Sequence, residues 1–405
     1  MRFFKIEDLS TQLVILFFLF RTVVSTFYCY LIINHSISID TRVFHQFGIE
    51  EYNLLFTNPK EYFTNLFTHY DSQSYSRFLD ISHSFWNDLR SNIIIKMLSI
   101  MDIFSGKNLY INTLFFNFMV YFGMVALYKT FRNVYSQSKK AIIFCVFILP
   151  SALIFSSAIH RDGIILLALS IIIYSIHFGM KKMTFSKKKM LLIAVMLLLI
   201  LLLRNYVFVL LVPSLCAWIL AINKPKYTLL IFSLIFGVCV IFFFTSGYIS
   251  PKIDLPKYVV ERQEKFIEIG DSAHSSIKIS LLKNSVQSFL AITPQAFDHA
   301  FLRPHLSDNS NKFYLPFAIE ILFYEIVFIL FLFFRKKNIL GTPIIYFCIF
   351  FTSLMLIITG YTVPVIGAII RYRSIYLIFL MLPILCGIDW EKIKTLYLKI
   401  YHKLF

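Results

Sequence analysis

The stretch SSAIHRDGIILLALSIIIY sets His160, Arg161 and Asp162 side by side at the mouth of an apolar run. Charge in such a place is costly unless it is solvated or used. A guanidinium fork matches the oxygens of a phosphate, so Arg161 is read as a phosphate contact, with His160 as a hydrogen-bond donor beside it. Asp162 has two readings: a catalytic carboxylate, or an acid that complements the positive end of the helix it begins. Four more arginines extend the set. Arg204 precedes NYV, Arg303 lies in FLRPHL, and GAIIRYRSIY places Arg371 and Arg373 directly before the last apolar run. Together they would hold a diphosphate head group at the bilayer; scattered snorkelling at the interface is the alternative.

Carboxylates supply the other half of the chemistry. Asp71, in HYDSQSY, is a candidate general base for an acceptor hydroxyl, with the Tyr75 ring four residues on. Glu320 and Glu325 fall inside FAIEILFYEIVFI, and carboxylates within a membrane segment are functional candidates by default. Glu320 is expected about two turns from the outer end, within reach of the same cavity. Glu325 faces elsewhere, with Arg21 as a candidate buried partner. His69, Asp71, His83 and Asp88 offer the ligand types for a divalent metal, though at no diagnostic spacing. No other cofactor is expected.

The elements that must position these groups follow from composition. The chain has 405 residues, 58% hydrophobic and only 15% charged, against about 25% charged in soluble domains. Mean hydropathy is +0.73. This is the composition of an integral membrane protein. A span needs roughly 20 apolar residues. The runs Thr11–Ile33, Tyr110–Tyr128, Ala141–Ser157, Gly163–Gly179, Met190–Leu203, Tyr206–Ile222, Tyr227–Gly247, Phe313–Phe334, Gly341–Gly360 and Ile375–Gly387 qualify or nearly so. The pair on either side of Arg204 could form a shallow hairpin. The first run lacks a small-residue cleavage site and is expected to be retained. All six cysteines lie in apolar segments, which argues against a disulfide framework.

Lys and Arg in the short loops set the orientation. With the N-terminus in the cytoplasm, KTFRNVYSQSKK, KKMTFSKKK, NKPK, RKKN and the C-terminal tail all fall inside. That side carries about 20 Lys and Arg against 4 Asp and Glu. The net charge of +17 is then mainly a cytoplasmic anchor and not a nucleic-acid footprint. The expected fold is an all-α polytopic transmembrane helical bundle of about ten spans, one integral membrane domain over residues 1–405. Residues 34–109 and 248–312 form two long outer loops with interfacial helices, and 389–405 a basic cytoplasmic tail.

In the first loop, SNIIIKMLSIMDIFSG spaces Lys96, Ser99 and Asp102 by three along an otherwise apolar helix. FTNPKEYFTNLFTHY is a weaker candidate. In the second, SSIKISLLKNSVQSFLAI reads as an interfacial helix, followed by TPQAFDHAFLRPHLSDNSN, which contains Arg303 and His305. There is no internal repeat of the kind many transporters show, and no Gly-rich phosphate loop, G-x-S-x-G or H-E-x-x-H motif.

This layout resembles the GT-C superfamily: a first span, a long outer loop with interfacial helices and an acid, then many further spans. Those proteins are membrane glycosyltransferases that use lipid-phosphate-linked sugars. DSQSYSRFLDI is similar to their acidic outer-loop pattern, which implies Asp71 as the catalytic carboxylate, with Asp40 or Asp80 as substitutes. LPSALIFSSAIHRDGIILLALSIIIY, FLRPHL and IGAIIRYRSIYL are also similar to stretches of uncharacterised polytopic proteins from Bacteroidetes-type bacteria, found with surface-polysaccharide genes. The resemblance implies a glycosyltransferase in the bacterial inner membrane, with both termini cytoplasmic. Its expected partners are a polyprenyl-phosphate-linked sugar, a glycan acceptor and membrane lipid, with no nucleic acid. A polysaccharide polymerase or ligase, relying on the arginines and His305, is the alternative. A transporter or flippase is the second; it would need polar groups through the membrane, and only Arg21, Glu320 and Glu325 qualify. A purely structural scaffold is a further option.

Overall fold

The computed structural model describes residues 2–6, 8–35, 39–67, 85–181, 186–250, 253–270, 275–308, 312–336 and 341–404. Among them there are α-helices and short turns but no extended sheet. In chain order the helices begin with α1 (Thr11–His35), α2 (Ile39–Thr57), α3 (Pro59–Thr64), α4 (Phe85–Ser105) and α5 (Leu109–Val134). Next come α6 (Lys139–Ile143), α7 (Pro150–Ser157), α8 (Arg161–Lys181), α9 (Lys187–Leu203) and α10 (Asn205–Asn223). Then follow α11 (Thr228–Ile249), α12 (Leu255–Gly270), α13 (Val286–Phe297), α14 (Leu315–Phe334), α15 (Pro343–Thr362), α16 (Ile366–Gly387) and α17 (Trp390–Leu404).

The protein is a multi-pass integral membrane protein. Eight of the described helices are long and apolar enough to cross a bilayer: α1, α5, α8, α10, α11, α14, α15 and α16, the α11 span including Pro225–Tyr227. Lys139–Ile148 and Pro150–Ser157 are together apolar enough but bent by 42°, a broken span or a re-entrant segment. A π-turn over Phe144–Ile148 and then Pro150, whose ring occupies the first turn of α7, interrupt the hydrogen-bond ladder there. The tenth expected span is α9, a helix of 17 residues.

The chain divides into two compact units. One holds Met1–Thr130 and Val146–Val209, the other Phe131–Cys145 and Leu210–Phe405. In the first unit, Phe116, Val120, Leu166 and Leu169 are fully buried. Gly163 sits where any Cβ would come within 2.8 Å of both the Phe116 ring and the Ser156 carbonyl, so the start of α8 requires a glycine to pack so closely. The α2 and α4 helices run antiparallel. Glu51 meets Lys96, and Gly48 meets Leu98 and Asp102. The Lys96–Ser99–Asp102 stripe therefore points into this seam, not toward water. Lys96 Nζ binds Glu51 Oε2 and the Tyr62 carbonyl at 2.5 Å each, Tyr62 and Ser99 share a hydrogen bond of 2.8 Å, and Asn112 donates to Asp102 at 2.7 Å. The apolar Ile100, Ile103 and Phe104 are exposed instead. Periodicity gives a helix two faces but does not say which one meets protein.

In the second unit, α16 is the central span, with 78% of its apolar window buried, whereas α11 is peripheral at 17%. Trp218, Phe347, Phe351, Tyr376 and Phe379 fill the core. Only the second half of SSIKISLLKNSVQSFLAI is helical, from the Ser285 cap onward. The first half is extended: Ile277 N–H donates to the Pro364 carbonyl at 2.7 Å and Ile366 N–H to the Ser275 carbonyl at 3.0 Å. Buried Gln263 ties it down further, accepting from Leu282 N–H and donating to the Tyr361 carbonyl, both at 2.7 Å. The α13 helix is pressed onto α15 at Gly360, where a Cβ would lie 1.9 Å from the Ala296 carbonyl oxygen. The α12 helix, rich in charge, was not anticipated from hydropathy.

Candidate functional site

In the first unit, α8 and α9 form an antiparallel hairpin, which returns the end of α9 to the beginning of α8. Arg204, the residue between α9 and α10, thus meets Asp162 in the first turn of α8. Arg204 Nη2 lies 2.5 Å from Asp162 Oδ1, with side-chain exposures of 9% and 2%, and Arg204 Nη1 donates to the Tyr206 hydroxyl at 2.6 Å. Asp162 therefore does more than complement a helix dipole: it neutralises a buried guanidinium. Arg161 is half-buried, donates to Ser91 Oγ at 2.9 Å and lies over the Phe44 ring at 5.5 Å. His160 is buried; its Nδ1 is 3.4 Å from the Thr41 hydroxyl, which donates to the Ile159 carbonyl.

Deeper in the same unit is Arg21. It is buried and held by neutral acceptors: Asn117 Oδ1 at 2.7 Å, Ser156 Oγ at 3.0 Å and the Ser156 carbonyl at 2.5 Å. Asn117 passes the network on to Ser25. These neutral partners hold Arg21 within its unit.

The second unit gathers a different set. After α13 the chain makes a π-turn over Asp298–Leu302, and Arg303 folds back onto two carboxylates, Asp298 at 3.2 Å and Asp308 at 3.2 Å. His305 Nε2 lies 3.0 Å from Asp298 Oδ1, while its backbone N–H donates to Asp308 at 2.9 Å. His299, buried beneath, is held below its ordinary value by burial first and by the Arg303 charge second. Arg373 braces this turn, donating from Nη1 to the Ala300 carbonyl at 3.0 Å and the Arg303 carbonyl at 2.5 Å. Glu320 is buried, accepts from the Tyr324 hydroxyl and acts electrostatically on Arg373. Arg371 is half-buried, with Tyr372 OH 3.4 Å from its Nη2.

Two placements correct the sequence reading. Arg371 and Arg373 do not precede the last span; α16 begins at Ile366, so both lie within it. Arginine propagates a helix well, and the carbonyls of 300 and 303 satisfy the buried Arg373. Glu320 is closer to its helix start, Leu315, than two turns. Asp71, Tyr75, Asp80, His69 and His83 lie outside the described residues. Among the described residues no group of three or more His, Cys, Asp or Glu could hold a metal ion. Of the expected set, then, His160, Arg161, Asp162 and Arg204 come together in one unit, and Arg303, Arg373 and Glu320 in the other. Asp298 and Asp308 were missed, though each stands five residues from Arg303 and could have been weighed as its counter-charge. Comparison with protein-family models, curated proteins and solved structures finds no match for this chain.

Proposed function

We propose that the protein is a GT-C-like membrane glycosyltransferase that draws on a polyprenyl-phosphate-linked sugar at the outer face of the bacterial inner membrane, for envelope polysaccharide or glycan assembly. The observation that carries this reading is the charged turn at the start of α8, where Arg161, half-buried, stands beside the Asp162–Arg204 pair in an apolar unit. In this mechanism a carboxylate, Asp71, takes the proton of the acceptor hydroxyl. The acceptor oxygen attacks the anomeric carbon as the bond from that carbon to the phosphate oxygen breaks. The phosphate leaves with the bonding pair, and Arg161 is its first cation; fixed positive charge at a leaving group is a large part of such catalysis. Arg204, paired with Asp162, positions the turn that carries Arg161, His160 supports that turn, and Tyr75 stacks on sugar.

The polymerase or ligase alternative has its own support. Asp298 orients His305 at 3.0 Å with Arg303 alongside, the arrangement of a histidine base steadied by a carboxylate. The test is analysis of lipid-linked glycans in cells lacking the gene and complemented with variants. Arg161→Ala is expected to abolish transfer with membrane levels unchanged. Loss of transfer in Asp71→Ala but not His305→Ala supports the first reading, and the reverse supports the second. No change in lipid-linked glycans on deleting the gene rules out both.

A further inference from the structure

The second unit contains a cavity of about 820 Å³ that none of the chemistry above uses. That is within the roughly 300–1,000 Å³ of ordinary ligand sites. It follows the length of α15, whose Ile345, Ile349, Ser353 and Ile357 recur every four residues along one face. Its walls are otherwise almost wholly apolar, from α14 and α16. Phe297 and Phe328 line it and are 46% and 49% exposed, so the cavity opens sideways between helices.

Its polar groups are arranged by sign. Arg335 and Lys336 stand at one end, where α14 terminates. Arg335 is exposed. Lys336 Nζ is bound to neutral oxygens, the Cys386 carbonyl at 3.1 Å and Ser138 Oγ at 3.4 Å, so its charge is not cancelled by them. Glu325 lines the wall ten residues earlier on α14, about 15 Å along the helix. A cationic mouth, an apolar barrel and an inner carboxylate together favour one kind of guest in one direction. An anionic head is attracted to the mouth and repelled from the interior, while its chain replaces lipid contacts along the barrel.

We propose that this cavity binds an anionic glycerophospholipid of the surrounding bilayer, its phosphate on Arg335 and Lys336 and an acyl chain along α15. The site is independent of the sugar-transfer reading, and its failure would leave that reading standing.

Native mass spectrometry of the purified full chain, with lipid extraction, tests it. Wild-type protein released from mixed phosphatidylglycerol–phosphatidylcholine nanodiscs is expected to retain phosphatidylglycerol at least tenfold over phosphatidylcholine. Arg335→Gln with Lys336→Gln should erase that preference. Because Lys336 also braces backbone, Ser353→Phe serves as a second variant: it fills the barrel, leaves both cations, and should cut retention several-fold. Equal retention of the two lipids by wild type overturns the proposal, as does unchanged retention in both variants. Recovery of an isoprenyl phosphate in place of phospholipid also overturns it, and would give the cavity to a different lipid.

Discussion

Two arginine–carboxylate clusters, one in each unit, are held by different means. In the first, Arg204 faces Asp162 at 2.5 Å with both side chains almost completely buried. In the second, Arg303 divides its charge between Asp298 and Asp308 at 3.2 Å, with exposures of 23%, 35% and 17%. The difference is one of dielectric. A buried ion is stable only while its partner remains, because the cost of desolvation is already incurred. A pair that water reaches can lose a member and be re-solvated. The first arrangement is thus rigid and intolerant, the second adjustable.

The largest expected effect follows from breaking the rigid pair. Asp162→Ala leaves the Arg204 guanidinium buried without its carboxylate and should cost about 3–5 kcal/mol, read as a fall in the unfolding temperature in detergent. Adding Arg204→Leu should recover most of the loss. A double variant no more stable than the single would show that charge is not what makes the pair intolerant.

A steric break in the second unit comes next. Gly360→Ala places a methyl group 1.9 Å from a backbone oxygen that cannot rotate away. Forcing α13 off α15 should cost about 1–3 kcal/mol, and hydrogen exchange should rise at Val286–Phe297 before it rises elsewhere. Undiminished protection there would mean that this contact does not hold α13.

Asp298→Asn probes the solvated side of the comparison. With a third of the side chain exposed and Asp308 still in place, the expected loss is under about 1 kcal/mol. A loss as large as that of Asp162→Ala would erase the distinction between the units.

The smallest effect is a pH dependence. Neutral His299 is favoured by burial and by Arg303, and to a lesser degree by His305, and opposed by Asp298 and Asp308. Its folded value lies below the ordinary 6.5, so the unfolded chain takes up a proton first as pH falls. Stability attributable to this group is fully present above 6.5 and declines as the pH drops through the folded value. The unfolding temperature of His299→Gln should fall less below pH 6.5 than that of wild type. Parallel curves for the two proteins would show that this imidazole does not report the cluster.

Hydropathy located most of the fold because a span must satisfy its backbone internally and present apolar side chains to lipid, a requirement strong enough to appear in composition alone. It failed where that requirement was relaxed. The α12 helix has no apolar run to announce it, and α16 was begun too late because Arg371 and Arg373 looked like its edge. For the candidate site, residue types are legible in the sequence and partners are not. Arg204 pairs with Asp162, and Arg373 with the carbonyls of 300 and 303, across separations that no motif spacing marks.

Charge type, apolar length and the break at Arg204 are local properties, so they can be read along the chain. Which carboxylate neutralises which guanidinium, and whether the Lys96–Ser99–Asp102 stripe meets water or another helix, depends on groups far apart in sequence. Coulomb attraction and desolvation act over a few ångströms of space, and only packing decides which residues come that close.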